Sequence, residues 1–147
     1  DFYERLLLEV KKLKCNKKYN PLIYSYEFIK LRNPNLIKKL TSFISKITNS
    51  KLKSSDIYKF KHKDYTLLQD DIYEQDQIKV ILELTPSWNN ESGGSTSFLI
   101  EDKEVFRINP TSNTLSIIKT TKQMKSFIKY INHLSNNKER IFIELTF

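Results

Sequence analysis

Two histidines and one aspartate have the spacing of a metal site. His62-Lys63-Asp64 reads His-x-Asp, and His133 follows further along the chain. Two imidazoles and one carboxylate are the facial ligand set that holds Fe(II) and leaves positions open for a cosubstrate and oxygen. The opposing interpretation is that two isolated histidines have surface or structural roles. The polar turn around His133 favours this second interpretation.

An arginine offers a different chemistry near the end of the chain. Arg140 opens the last apolar segment, and its planar guanidinium can grip a carboxylate through two N–H groups. The carboxylate could belong to a ligand or to the chain itself, with Glu83 or Asp71 as internal candidates. We favour an internal partner, because an arginine fork suits any nearby carboxylate.

Several other chemistries lack their residues. The sequence has no phosphate-binding glycine loop, no cysteine cluster for zinc and no recognisable Ser/His/Asp pattern. Cys15 is the only cysteine, so an internal disulfide is excluded and a reducing, cytoplasmic setting is expected. No apolar run is long enough to span a bilayer, and no membrane role is expected.

The charge of the chain suggests a nucleic-acid partner without requiring one. The formal net charge is +8, and aromatic residues alternate with lysines between Tyr58 and Tyr65, as they do where bases stack beside phosphate contacts. However, the charges are spread along the whole chain. The same alternation also describes a half-buried strand with a basic outer face, which is the interpretation we prefer.

The elements that must position these residues follow from periodicity. Helical spacing predicts amphipathic helices over residues 2–14 and 35–49, the second with a stripe that includes Leu36, Leu40 and Phe43. After residue 56 the period changes to two, and Ile78, Val80, Leu82 and Leu84 should form one buried face. We predict strands at 22–31, 57–62, 65–69, 77–85, 96–100, 104–108, 114–119, 126–131 and 140–147. The 147 residues then form one α+β, mainly β domain, with a helical part at 1–50 and a β core at 56–147.

A resemblance to a known family rests on several segments in order. Asp64-Tyr65-Thr66-Leu67-Leu68-Gln69-Asp70-Asp71 resembles the strand that carries His-x-Asp in prolyl-hydroxylase-type 2-oxoglutarate, Fe(II)-dependent dioxygenases, and the branch with ribosomal prolyl hydroxylases is the most similar. The other matching segments are Ile81 to Trp88, Gly93-Gly94, Arg107 to Pro110, Asn113-Thr114-Leu115 and Ser126-Phe127-Ile128. The resemblance implies a double-stranded β-helix, or jelly roll of cupin type, with the two N-terminal helices packed on one sheet.

The resemblance also implies a degenerate site. Asp71 keeps the aspartate position, but Gln69 and Ile128 stand where the family has its two iron-binding histidines. Arg140 stands where the family grips the distal carboxylate of 2-oxoglutarate, and Glu83 lies near a position that is aromatic in many relatives. With one normal ligand left, we expect neither iron nor 2-oxoglutarate as a cofactor, although both would be ancestral.

These observations lead to a functional hypothesis with two alternatives. We expect a catalytically inactive, pseudo-prolyl-hydroxylase domain, not an enzyme, that acts as a protein-binding or scaffolding module for a protein or peptide. A related dioxygenase-fold subunit is a candidate partner. The first alternative is a basic module associated with nucleic acid or the ribosome. The second is an active oxygenase that uses the displaced triad His62, Asp64 and His133.

Overall fold

A computed structural model describes residues 1–68 and 73–147, with the side chain of Phe43 excepted. In chain order the elements are α1 (Phe2–Lys12), β1 (Asn16–Asn20), β2 (Tyr24–Lys30), α2 (Pro34–Thr48), β3 (Ser54–Phe60), β4 (Tyr65–Thr66), β5 (Ile78–Glu83), β6 (Thr96–Ile100), β7 (Lys103–Ile108), β8 (Thr114–Lys119), β9 (Met124–Ile128) and β10 (Arg140–Thr146). Short 3-10 turns lie at Asn90–Ser92 and His133–Ser135.

Both predicted helices are present, and polar side chains define their ends. The Asp1 carboxylate accepts a hydrogen bond from the Tyr3 amide at the start of α1. The Asn33 side chain accepts bonds from two amides at the start of α2, which ends at Asn49 in the left-handed conformation. Such caps satisfy backbone groups that have no partner within the helix. Lys59, buried at 6% exposure, donates to the Lys11 and Leu13 carbonyls at the C-terminal end of α1.

The ten strands of the described residues form an antiparallel, nearly closed barrel-like sheet. The strand order is β7-β6-β9-β4-β2-β3-β10-β5-β8, and β1 pairs with β2 outside this path. The predicted jelly-roll architecture is confirmed. The sheet is continuous through β4, which pairs with both β2 and β9.

Strand β10 separates two apolar cores because its side chains alternate between the faces of the sheet. Ile141, Ile143 and Leu145 join the core beneath the helices, whereas Phe142 joins the core inside the barrel. The predicted face on β5 packs in the helix-side core, with Val80 and Leu84 fully buried. Ile78 and Leu82 are partly buried against the same core.

Several sequence predictions about the elements are wrong. The sequence predicted no strand at residues 16–20, where the structure has β1 paired with β2. The described part of β4 is Tyr65–Thr66, shorter than the predicted 65–69. The sequence KKY in β1 has no apolar alternation, so this exposed edge strand is held mainly by its backbone pairing with β2.

Candidate functional site

An aromatic cavity of about 90 Å³ lies inside the barrel. Its wall is built from alternate residues of strands β2, β3, β5, β6, β9 and β10, together with β4 and Tyr73. The lining residues are Tyr26, Tyr58, Phe60, Thr66, Tyr73, Lys79, Ile81, Thr96, Phe98, Ser126, Ile128, Phe142 and Glu144.

Stacked rings form one side of this cavity. Phe60 stacks on Phe142 with ring centroids 6.0 Å apart and planes 10° apart, and Tyr58 stacks on Phe142 at 5.1 Å. Tyr26 stacks on Phe60 at 5.4 Å. Offset ring pairs of this kind add to the stability that burial alone provides. This side of the cavity wall is therefore aromatic.

A charged pair lies on the polar side of the cavity. The Lys79 ammonium is 2.9 Å from Glu144 Oε1 and 4.7 Å from the centre of the Tyr73 ring. The Tyr73 hydroxyl shares a hydrogen bond with Ser126 Oγ at 2.5 Å. Neither Lys79 nor Glu144 is among the site residues predicted from the sequence. The signal in the sequence is one charged residue at an inward-facing position on each of two strands, β5 and β10. These strands pair with Lys79 opposite Thr146 and with Ile81 opposite Glu144.

Arg140 is fully engaged within the chain. The guanidinium is 0% exposed, and its Nε and Nη2 donate to Glu83 Oε2 at 3.1 and 2.9 Å. Its Nη1 donates to the Gly94 carbonyl at 2.6 Å and to Thr96 Oγ1 at 2.7 Å. The internal partner that the sequence favoured for Arg140 is thus present, and it is Glu83.

The Glu83 carboxylate is held from its other side as well. Thr85 Oγ1 donates to Glu83 Oε1 at 2.5 Å and accepts a bond from the Ile141 amide at 2.9 Å. Glu83 is 1% exposed, so it does not face solvent. A buried ion pair of this kind is tolerated because its remaining hydrogen-bonding groups are also satisfied.

The resemblance matched three positions to iron ligands. Two of them, Gln69 and Asp71, lie outside the described residues. Ile128 lines the cavity at 8% exposure, and its amide donates to Thr66 Oγ1 at 2.8 Å. An apolar side chain therefore occupies the wall of the barrel at the end of β9.

The displaced triad is not assembled. His62 and His133 are exposed, whereas Asp64 is 2% exposed. The Asp64 carboxylate accepts bonds from Lys17 Nζ, Ser25 Oγ and the Lys61 amide. Residues 1–68 and 73–147 contain no cluster of three His, Cys, Asp or Glu side chains placed to hold a metal. Asp64 instead joins the β1–β2 hairpin to the turn before β4.

The described cavity residues do not fit Fe(II). They include no imidazole and no thiol, and their one carboxylate, Glu144, is paired with Lys79. Iron sites of this class use two imidazoles and one carboxylate. The arginine that the resemblance assigned to 2-oxoglutarate is already occupied by Glu83.

The basic segment suggested by the sequence is smaller than expected. Lys59 is buried beneath α1, and Lys61 is paired with Glu27 at 2.8 Å. The partnership with Glu27 raises the pKa of Lys61 above its ordinary value. Within Tyr58 to Tyr65, Lys63 is the lysine that stays exposed without an ion pair to the described residues.

The fold is that of the 2-oxoglutarate oxygenase jelly rolls. It superimposes on a Pseudomonas putida prolyl-4-hydroxylase with a TM-score of 0.75 at 13% identity, covering 100% of this chain and 86% of that chain. It superimposes on a Trichoplax adhaerens prolyl hydroxylase, solved with a hypoxia-inducible-factor peptide fragment, with a TM-score of 0.74 at 15% identity, covering 98% and 75%.

The family follows from the sequence comparison. Residues 9–146 match the family model "Oxoglutarate and iron-dependent oxygenase degradation C-term", and the chain belongs to this family. It is 30% identical over 91 residues to the prolyl 3-hydroxylase OGFOD1 of Xenopus laevis, which covers 58% of this chain and 18% of that protein. It is 29% identical over 90 residues to the Mus musculus prolyl 3-hydroxylase OGFOD1, covering 59% and 16%. The chain spans less than a fifth of the length of these relatives.

These relatives correct one expectation. The expectation that this protein is not an enzyme is wrong, because the relatives are named prolyl 3-hydroxylases and the solved structures of the same fold are prolyl hydroxylases. The family assignment made from the resemblance is confirmed. Of the described residues, no helix is long and apolar enough to cross a membrane.

Proposed function

We propose that this chain is a polypeptide-binding domain of a prolyl-hydroxylase-type enzyme. The relatives act, by their names, on prolyl residues, and a prolyl residue in a protein is presented by a polypeptide. The chain spans under a fifth of those relatives, so the bound polypeptide is either a substrate or another part of the same enzyme, including a related dioxygenase-fold unit.

An exposed apolar surface carries this proposal. We define the hairpin surface as Leu22, Ile23, Leu67 and Leu68, with exposures of 79%, 39%, 51% and 45%. The Leu67 amide donates to the Ile23 carbonyl at 2.8 Å, which joins the β1–β2 turn to the end of β4. Contiguous exposed apolar side chains mark interaction sites on folded proteins.

The nucleic-acid alternative rests on charge. The net charge of +8 attracts any polyanion. In the aromatic and basic segment from Tyr58 to Tyr65, however, Lys59 is buried and Lys61 is paired with Glu27, so neither lysine is free to contact phosphate.

We also propose a reducing, cytoplasmic setting for the protein. Cys15 is a free cysteine, and partial burial raises the pKa of its thiol.

Peptide display against the purified protein tests the proposal. We expect enrichment of peptides whose binding is weakened by at least about tenfold in Leu22→Ser and Leu67→Ser. Leu115→Ser is the matched control, since Leu115 is 44% exposed on the edge strand β8, which pairs with neither β2 nor β4. Enrichment of no peptide, together with binding of a mixed-sequence RNA oligonucleotide that falls steeply with salt, would replace this function with the nucleic-acid alternative.

A further inference from the structure

An apolar groove lies on the outer face of the sheet beside the hairpin surface. It has a volume of about 300 Å³ and is lined by Tyr65, Thr66, Leu67, Phe127, Ile128, Lys129 and Tyr130. On β9, the neighbours of Phe127 in sequence, Ser126 and Ile128, line the cavity inside the barrel, so Phe127 points outward. A sheet face turned to water ordinarily carries polar side chains at such positions.

Contacts within the chain hold aromatic side chains that line the groove. The Tyr65 ring lies 6.2 Å from the Tyr130 ring, and the Tyr65 hydroxyl donates to the Pro21 carbonyl at 2.8 Å. Tyr130 is 47% exposed despite this fixed neighbour. Rigid, exposed aromatic side chains bind with little loss of conformational entropy and are common anchors of protein interfaces.

Two glycines fix the backbone that carries Lys129 and Tyr130. Gly93 has φ +80°, and a Cβ at that position would lie 2.0 Å from the Tyr130 carbonyl oxygen. The Gly94 amide donates to the Lys129 carbonyl at 2.9 Å, and the Lys129 amide donates to the Ser95 carbonyl at 2.9 Å. The backbone of Lys129 is therefore hydrogen-bonded through both its amide and its carbonyl to the segment Gly94–Ser95.

Lysines give the groove its charge. Lys129 lines it, and the Lys63 amide donates at 2.8 Å to the carbonyl of Ile131, the residue that follows Tyr130. Both side chains are exposed and make no ion pair with the described residues. Asp64, which follows Lys63, does not neutralise them, since its carboxylate is buried against Lys17 and Ser25.

From this combination we propose that the groove binds an acidic polypeptide segment, with an aromatic or aliphatic side chain between Tyr65 and Tyr130 and carboxylates beside Lys63 and Lys129. Apolar anchoring at the centre with charge complementarity at the rim is the usual plan of a specific interface. This inference rests on the proposed function and adds the surface and the chemistry of the partner.

Fluorescence anisotropy with two labelled peptides tests it. The first peptide contains Glu and Asp around a Phe and a Leu, and the second has the same sequence with Gln and Asn in place of the acids. We expect the acidic peptide to bind at least about tenfold more tightly at low salt, with the difference shrinking as salt rises. Tyr130→Ser and Lys129→Gln should each weaken the acidic peptide, Tyr130→Ser by at least about tenfold.

Lys122→Gln is the matched control, because Lys122 is also exposed but precedes β9 and lies outside the groove. Lys129→Gln removes only an exposed side chain, so it keeps the test valid if Tyr130→Ser unfolds the protein. Equal affinity for the two peptides, or equal loss in Lys122→Gln and Lys129→Gln, would overturn this inference and leave the proposed function standing. Tighter binding of an RNA oligonucleotide that competes with the acidic peptide would also overturn it. If display also yields no peptide, the proposed function fails with it.

Discussion

Removal of the Glu83 carboxylate should be among the most damaging single changes in this protein. In Glu83→Ala the Arg140 guanidinium keeps its charge at 0% exposure and loses both bonds from Nε and Nη2. Breaking one partner of a buried pair typically costs about 3–5 kcal/mol. A domain of this kind is stable by about 5–15 kcal/mol, so the variant should lose roughly a fifth or more of its stability.

Urea unfolding followed by far-UV circular dichroism measures this loss. With a slope of about 2 kcal/mol/M, a loss of about 4 kcal/mol lowers the midpoint by about 2 M. The matched control is Glu74→Ala, which removes the exposed pair of Glu74 with Lys53 and should leave the midpoint nearly unchanged. In contrast, Arg140→Met combined with Glu83→Leu should be less damaging than Glu83→Ala, because no unpaired charge is then buried.

Small carboxylates give an independent measurement on the same variant. Acetate or formate should raise the melting temperature of Glu83→Ala, because the anion can enter the space left beside Arg140, and should not raise that of the parent. If Glu83→Ala unfolds at the same urea concentration as the parent, the ion pair carries no net stability. The structural account of Arg140 would then be refuted.

Three further predictions follow from other buried charges and from the cavity. Burial raises the pKa of Asp56, whose Oδ1 has no hydrogen-bond partner in the described residues. The folded state therefore binds the proton more tightly than the unfolded chain, and stability falls as pH rises from the ordinary carboxyl pKa through the raised one. Asp56→Asn should abolish that fall and be the more stable protein at neutral pH, and urea midpoints that track the parent at each pH would contradict this. Lys59→Met should cost about 1–2 kcal/mol, because the last carbonyls of α1 lose a charged donor. Faster amide exchange confined to α1 would support that reading, and unchanged exchange would exclude it. Because the described cavity lacks imidazoles, anaerobic addition of Fe(II) should not raise the melting temperature, and a rise that disappears in His133→Ala would instead establish the displaced triad.

The sequence predicted the parts of the fold that depend on local periodicity. The stripes that include Val10 in α1 and Leu36 in α2 have helical spacing, and both helices form within two residues of their predicted ends. The alternation at Val80 and Leu84 placed the buried face of β5 correctly. Strand β1 could not be found this way, because an exposed edge strand has no buried face and is defined by its pairing with β2.

In the candidate site, too, some residues could be identified from the sequence and others could not. A resemblance in sequence was enough to identify the family and to single out Arg140, Glu83 and Ile128. It was also enough to raise the question of whether Arg140 has an internal partner. The burial of Lys59 on β3 could not be predicted, because whether its side chain faces water or α1 depends on where the helix packs. Lys79 and Glu144 were overlooked for a related reason, since the two residues lie 65 positions apart in sequence.

The residue types, their periodicity and the order of the family segments are properties of the chain alone, and they determined the family, the mainly β architecture and the helices. Tertiary structure decided which charges meet. Glu83 and Arg140 are 57 residues apart, and each would be solvated in an extended chain. Pairing of β10 with β5 places both inside the barrel, where water is excluded and each becomes the partner that the other requires. The groove on the outer face also depends on tertiary structure, because Tyr65 and Tyr130 come together only when β4 pairs with β9.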